Sequence, residues 1–186
     1  MRVAGLLLAA GAGRRFGGPK ALVRRGGALW VESARSALRD AGCAPVVVVL
    51  GAGADDVRAR ATLGDALVVE NPAWATGMGS SLRAGLAALG TSADAVVVLP
   101  VDTPGVTVEA VRRFVVLASP GGLLRASYGG APGHPVLLGR EHWAAVSASA
   151  TGDAGARDYL RAHGAVAVAC EDVADGADVD RPEDLR

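Results

Sequence analysis

Short apolar runs alternate with longer stretches of mixed polarity along the first two-thirds of the chain. Residues 3–8, 46–50, 66–70 and 95–100 are brief and nearly continuous in apolar side chains, the pattern of strands buried on both faces of a parallel sheet. The segments between them, 28–41, 54–60, 80–89 and 106–118, have the length and spacing of helices. Gly42 and Gly90 stand where two of those helices would stop. Strand and helix in alternation predict an α/β fold, a three-layer α/β/α sandwich with right-handed crossovers around a mostly parallel sheet. Beyond Pro120 the pattern loosens. Shorter strands are expected at 123–126, 135–138 and 166–169, and helices at 141–147 and 155–162. The glycine-rich "YGGAPGHP" between them reads as a loop rather than a linker, because too little chain follows it to build a second core. One domain over residues 1–186 is the expectation.

Composition narrows the classes. Apolar residues make up 51% of the 186, chiefly Ala, Val and Leu, which suits a sheet covered by alanine-rich helices. Lys and Arg together number 19 and so do Asp and Glu, a balance that speaks against general nucleic-acid binding. No apolar run reaches the length of a membrane span, so no membrane partner is expected. The apolar N-terminal stretch is short and runs straight into a chemical loop, which keeps it inside the fold. Cys43 and Cys170 lack metal-ligand spacing and read as free thiols of a cytoplasmic protein.

The chemistry begins at "GAGRRFGGPK", directly after the first strand. Open parallel sheets bind ligands beyond the carboxyl ends of their strands. Glycines there let backbone N–H groups close on phosphate oxygens, and Arg14, Arg15 and Lys20 supply neutralising charge. Two common templates fail. Gly11, Gly13 and Gly17 are spaced one residue too widely for G-x-G-x-x-G. Gly13, Gly18, Pro19, Lys20 and Ala21 break the P-loop order and lack its hydroxyl. An acidic signal follows a later strand: "AVVVLPVDTP" puts Asp102 just past a carboxyl end. Magnesium, a hard cation, prefers carboxylate and phosphate oxygens, so Asp102 is the first candidate metal ligand; capping of the helix near Val106 is the structural alternative.

"NPAWATGMGSSLRAGL" breaks a strand at Asn71-Pro72, allows close approach at Gly77 and Gly79, and offers Ser80 or Ser81 as a helix cap. Trp74 reads as loop packing rather than a stacking platform. His134 is fixed between Gly133 and Pro135, and Asp153, Gly155 and Arg157 lie at a helix start where capping would suffice. His142 and Trp143 read as helix surface and packing, and Glu32, Arg83 and Arg112 as solvated helix charges. In "DVDRPEDLR", Asp178 and Asp180 precede Pro182, which opens a short helix.

"LAAGAGRRFGGPK" as a whole resembles the nucleotidyltransferase signature L-A-A-G-x-[GS]-x-R-x-G-x-x-K. "DTP" resembles the D-x-P motif, and "NPAWATGMGSSLRAGL", "GHPVL", "GDAGAR" and "DVDRPEDL" resemble further motifs of the same family in the same order. The family is that of molybdenum cofactor cytidylyltransferases and guanylyltransferases, with the Rossmann-like sheet of nucleotide-diphospho-sugar transferases. The resemblance implies transfer of a nucleotidyl group from a nucleoside triphosphate to a phosphorylated acceptor, a pterin above all, with magnesium or alternatively manganese. It implies nucleotide binding by Leu8, Ala9, Ala10, Gly11, Gly13, Arg14, Gly17, Gly18, Gly77, Met78, Ser80 and Ser81. Catalysis would fall to Arg15, Lys20 and Asp102, and acceptor binding to His134, Asp153 and Arg157. Asp180, or in its place Asp178, would be a second metal ligand beside Asp102. A molybdoenzyme or its chaperone is the macromolecular partner the family implies. "GMGSSL" and "GHPVL" favour CTP, whereas "DTP" in place of D-Q-P leans toward GTP. A sugar phosphate acceptor and a non-catalytic nucleotide-binding module are the alternatives.

Overall fold

A computed structural model describes residues 1–184. Its centre is a seven-stranded sheet in the order β5-β4-β1-β6-β8-β7-β9. The first strands, β1 (Val3–Ala9), β4 (Val46–Leu50), β5 (Leu67–Glu70) and β6 (Ala95–Pro100), are mutually parallel. β8 (Ala131–Gly139) runs antiparallel to β6 and to β7 (Leu123–Tyr128), and β9 (Val166–Ala169) lies parallel to β7 at the far edge. A separate two-stranded ribbon joins β2 (Arg24–Arg25) to β3 (Ala28–Leu29).

The two-residue period of the strands divides the core into two layers. Leu7, Val48 and Val97 face one side, where α1 (Trp30–Asp40), α2 (Ala54–Arg60) and α4 (Val108–Val116) cover them with Leu38, Val57 and Phe114. Leu6, Val49 and Val98 face the other, beneath α3 (Met78–Leu89), α5 (Trp143–Ser149) and α6 (Arg157–Ala162). The three-layer α/β/α fold is thus the observed one. Helix α3 lies against β1 so closely that a Cβ on Gly85 would fall 2.3 Å from Leu6 Cδ1.

Several boundaries differ from those the pattern predicts, each for a local reason. The helix expected from residue 28 starts at Trp30, because Gly26 and Gly27, both at positive φ, turn the β2–β3 hairpin. Glu32 then accepts the N–H of Leu29 at 2.8 Å and of Thr62 at 2.8 Å, so it ties the helix start to a neighbouring loop instead of being a solvated charge. The expected loop at 128–135 is the β7–β8 hairpin, turned by Gly129 and Gly130, and His134 lies within β8. Edge strands β5 and β9 are half-buried or exposed rather than covered on both faces. α4 begins at Val108, capped by Thr107, whose Oγ1 accepts the Ala110 N–H at 3.2 Å. Asp102 is therefore not that helix's cap. Trp143 is buried and donates its indole N–H to Leu138 O at 2.9 Å, while His142 is held by Tyr159. Both cysteines are buried and unpaired.

Candidate active site

At the carboxyl end of β1 the chain passes through Ala10 into the glycine-rich loop. Gly13 turns it at φ +58°, and its carbonyl accepts the N–H groups of Phe16, Gly17 and Gly18 at 2.9, 2.9 and 3.1 Å. A Cβ on Gly13 would sit 1.9 Å from Gly18 O, so only glycine closes this turn. The amides of Gly17 and Gly18 are spent on the turn, and neither residue lines the cleft. Leu8, Ala10, Gly11, Gly13, Arg14 and Arg15 do. Ala9 faces the opposite layer of the core. Gly11 is exposed, with open space around a notional Cβ, so nothing in the protein itself demands glycine there. Arg14 lines the cleft with no ion pair among the described residues.

The cleft encloses 410 Å³ between this loop, the turn after β6 and the segment before α3. Lys20 reaches into it from a short 3-10 turn, Lys20–Leu22. Its Nζ donates to Asp102 Oδ2 at 3.0 Å and to Asp180 Oδ1 at 2.8 Å. Arg15 pairs with the other Asp180 oxygen at 3.2 Å. Residues 82 and 160 positions apart in sequence thus meet at one ammonium. The Lys20 side chain is only 12% exposed. Burial alone would lower its pKa; the bonds to Asp180 and Asp102, with their charges, outweigh burial and hold the ammonium above its ordinary value. Asp180 is held below the usual carboxylate range by its bond to Lys20, with the charges of Lys20, Arg15 and Arg181 adding to it. Asp178 is pushed the other way, first by partial burial and then by the charges of Asp102 and Asp180.

The donor set suits a hard divalent ion. Asp102 and Asp180 turn carboxylate oxygens toward a point already occupied by a positive group. Among the described residues no cluster of three or more His, Cys, Asp or Glu side chains is poised for a metal. Two carboxylates leave coordination positions that phosphate oxygens and water can fill, the usual manner of magnesium.

The segment before α3 forms the opposite wall. The helix starts at Met78 with Gly77 as cap residue, so neither serine caps it. Ser80 donates to Ala73 O at 3.0 Å and Gly77 O at 2.8 Å, and both serines accept from the buried Asn71 amide at 2.8 and 3.0 Å. Ser81, Gly77 and Met78 line the cleft, whereas Ser80 braces the loop behind it. Gly77 presses on the turn that carries Asp153; a Cβ there would lie 2.4 Å from Gly152 C. Trp74 does two things, packing against Gly51 and lining the cleft.

A second cavity of 320 Å³ opens beside the first and shares Leu8, Met78 and Asp153 with it. His134, Asp153 and Arg157, the expected acceptor residues, all line it. Burial holds the His134 imidazole below its ordinary pKa, against the pull of the Asp102 charge. The cavity also contains Asp178 and Arg125. Sequence reading had no role for Arg125, although a lone charge inside the apolar run "LLRAS" was the available signal. Arg83 is exposed and also donates to Ala150 O, so it is more than a solvated charge.

Sheet order, loop chemistry and the paired cavities define an α/β protein of the nucleotidyltransferase class. Residues 5–167 match the MobA-like NTP transferase domain, and the chain belongs to that family. It is 42% identical to nicotine blue oxidoreductase of Paenarthrobacter nicotinovorans over 193 aligned positions, covering 98% of this chain and 94% of that one. It is 32% identical to the molybdenum cofactor guanylyltransferase of Rhodobacter capsulatus, covering 78% of this chain and 68% of the relative. Among solved structures it resembles Rv0371c of Mycobacterium tuberculosis H37Rv, with a TM-score of 0.85, 27% identity and coverage of 100% and 96%. The same mycobacterial protein in complex with manganese matches in fold at a TM-score of 0.77, with 24% identity and coverage of 100% and 93%.

Proposed function

We propose that this protein transfers a nucleotidyl group from a nucleoside triphosphate, CTP in first place and GTP in second, to a phosphomonoester acceptor, molybdopterin or a close relative. An acceptor phosphate oxygen attacks the α-phosphorus, a new P–O–P bond forms, the bond to the β-phosphate oxygen breaks, and pyrophosphate leaves. The observation that carries this reading is the meeting of Lys20 with Asp102 and Asp180 across one cleft, beside Arg14 and Arg15. The attacking phosphate is already ionised near neutrality, so no general base is required. The protein's part is positioning and charge neutralisation. Arg14, Arg15 and Lys20 would neutralise the triphosphate and the departing pyrophosphate, with Gly11 and Gly13 letting the backbone come close. Gly77, Met78 and Ser81 would face the base. Asp102 and Asp180 would hold magnesium or manganese, which supplies charge stabilisation at the phosphates when bound.

The second reading is redox. It rests on the 42% identity to a protein named nicotine blue oxidoreductase across almost the whole chain. In that reading Arg14, Arg15 and Lys20 would bind the pyrophosphate of a reduced nicotinamide dinucleotide, which would supply a hydride, and the second cavity would hold the conjugated acceptor that takes it. The acceptor would take a proton from water, and the oxidised dinucleotide would leave.

One experiment separates the two. Pyrophosphate release from each NTP is measured with magnesium and a panel of phosphomonoesters, alongside nicotinamide oxidation with conjugated acceptors. Transfer predicts pyrophosphate, and a loss of about 100- to 1,000-fold in turnover for folded Lys20→Met and Asp102→Asn variants. Nicotinamide oxidation without pyrophosphate would reverse the assignment.

A further inference from the structure

Arg125 occupies an unusual place in the sheet. Leu6, Val98 and Val136 form one row of paired residues across β1, β6 and β8, and Arg125 is the next member of that row, on β7. The first three belong to the apolar layer beneath α3, α5 and α6. Arg125 therefore puts a guanidinium where the row would otherwise continue the core. The ladder shifts register directly after it, between Arg125 and Ala126, and the side chain lines the second cavity beside Val98 and Val136.

Arg125 as a residue is half-buried, and its guanidinium has no hydrogen bond or ion pair among the described residues. Arg157, across the same cavity, has none either. Asp153 and Asp178 line the cavity too, but neither pairs with an arginine there. The guanidinium nitrogens are not among the buried, unpartnered polar atoms, so the charge keeps contact with the open cavity, where a bound anion would supply the pair the protein does not. Arginine offers a planar fork that fits phosphate or carboxylate at two points. The remaining walls, among them Met78, Leu82, Val136 and Leu160, are apolar and would cover a flat ring system.

We propose that Arg125 is the specificity-determining residue of the second cavity: it anchors the anionic group of a ligand whose flat ring body lies on the Leu82–Val136–Leu160 floor. The inference rests on the reading of this cavity as the acceptor site, and it narrows the acceptor to anions with a flat ring body over polyhydroxylated sugar phosphates.

The test uses binding, not turnover. The intact protein is titrated calorimetrically with phenyl phosphate, phenol and inorganic phosphate, in wild type, Arg125→Gln, Arg125→Lys and Arg157→Gln. The expected result is that the aromatic phosphate binds at least about tenfold more tightly than either fragment. Arg125→Gln should lose about tenfold or more, in line with loss of a charge-assisted pair, and Arg125→Lys should lose less. Magnesium–CTP affinity should be the same in Arg125→Gln as in wild type, which also reports an intact fold. Equal binding of the ester by wild type and Arg125→Gln, equal binding of the neutral phenol, or failure of the ester to bind wild type would each overturn the assignment. If no acceptor yields pyrophosphate while ester binding still depends on Arg125, the transfer reading falls and the anion anchor stands.

Discussion

His134 shows how a single side chain ties stability to pH. Burial holds its pKa below the ordinary 6.5, so the folded protein sheds this proton more readily than the unfolded chain. The unfolded state then binds more protons as pH falls, and stability declines with it. Its contribution is complete above about pH 6.5 and erodes as pH drops toward the lowered folded value. Replacing His134 by Gln removes that one titration. Thermal unfolding of wild type and His134→Gln across about pH 7.5 to 5 should show a smaller loss of Tm on acidification in the variant. Parallel curves would mean that the imidazole is no more buried than in the unfolded chain. At this scale, sequence reading brought forward several side chains that the fold gathers round one cleft. Lys20, Arg15 and Asp102 stood out by loop position and charge, while the closing motif left Asp180 and Asp178 as alternatives that only the pairing of Asp180 with Lys20 and Arg15 tells apart. Arg125 and the bracing role of Ser80 did not stand out, because register across three strands decides the first and a buried Asn71 amide decides the second.

At the scale of elements, the first loop holds one glycine the protein itself requires and another that it does not. Gly13 is required by its left-handed backbone and by Gly18 O at 1.9 Å from a notional Cβ. Gly11 has no such constraint, yet lines the cleft. Gly13→Ala should therefore distort the turn, lower Tm by several degrees and weaken nucleotide binding together, the strain being on the order of 1–3 kcal/mol. Gly11→Ala should leave Tm within about one degree and still weaken magnesium–CTP, because its methyl would meet only the ligand. Differential scanning calorimetry with and without nucleotide distinguishes them. Unchanged nucleotide affinity in Gly11→Ala would remove the loop's proposed contact with phosphate. The parallel strands were legible because buried, uninterrupted apolar runs leave few alternatives. Both Gly-Gly hairpins were missed: Gly129-Gly130 was read as loop, and Gly26-Gly27 drew no reading because the strands beside it are only two residues long.

Across the whole molecule, the fold brings four distant segments to the carboxyl end of the central strands. Two cavities meet at Leu8, Met78 and Asp153, a junction suited to two ligands reacting end to end. The doubly wound half of the sheet and its three layers could be anticipated from alternation alone. The antiparallel return of β8 between β6 and β7 could not, since strand order across a hairpin is settled by tertiary packing rather than by any local run. The proposed function depends on this assembly: Lys20, Asp102 and Asp180 meet at one place, which in that reading would hold a metal-bound triphosphate. Manganese binding followed by electron paramagnetic resonance, with and without CTP, tests that directly. The account predicts tight manganese uptake only when CTP is present, and loss of about tenfold or more of that affinity in Asp102→Asn, whose neutral amide is a poorer partner for a hard cation. Nucleotide-dependent manganese binding that Asp102→Asn leaves untouched would contradict it.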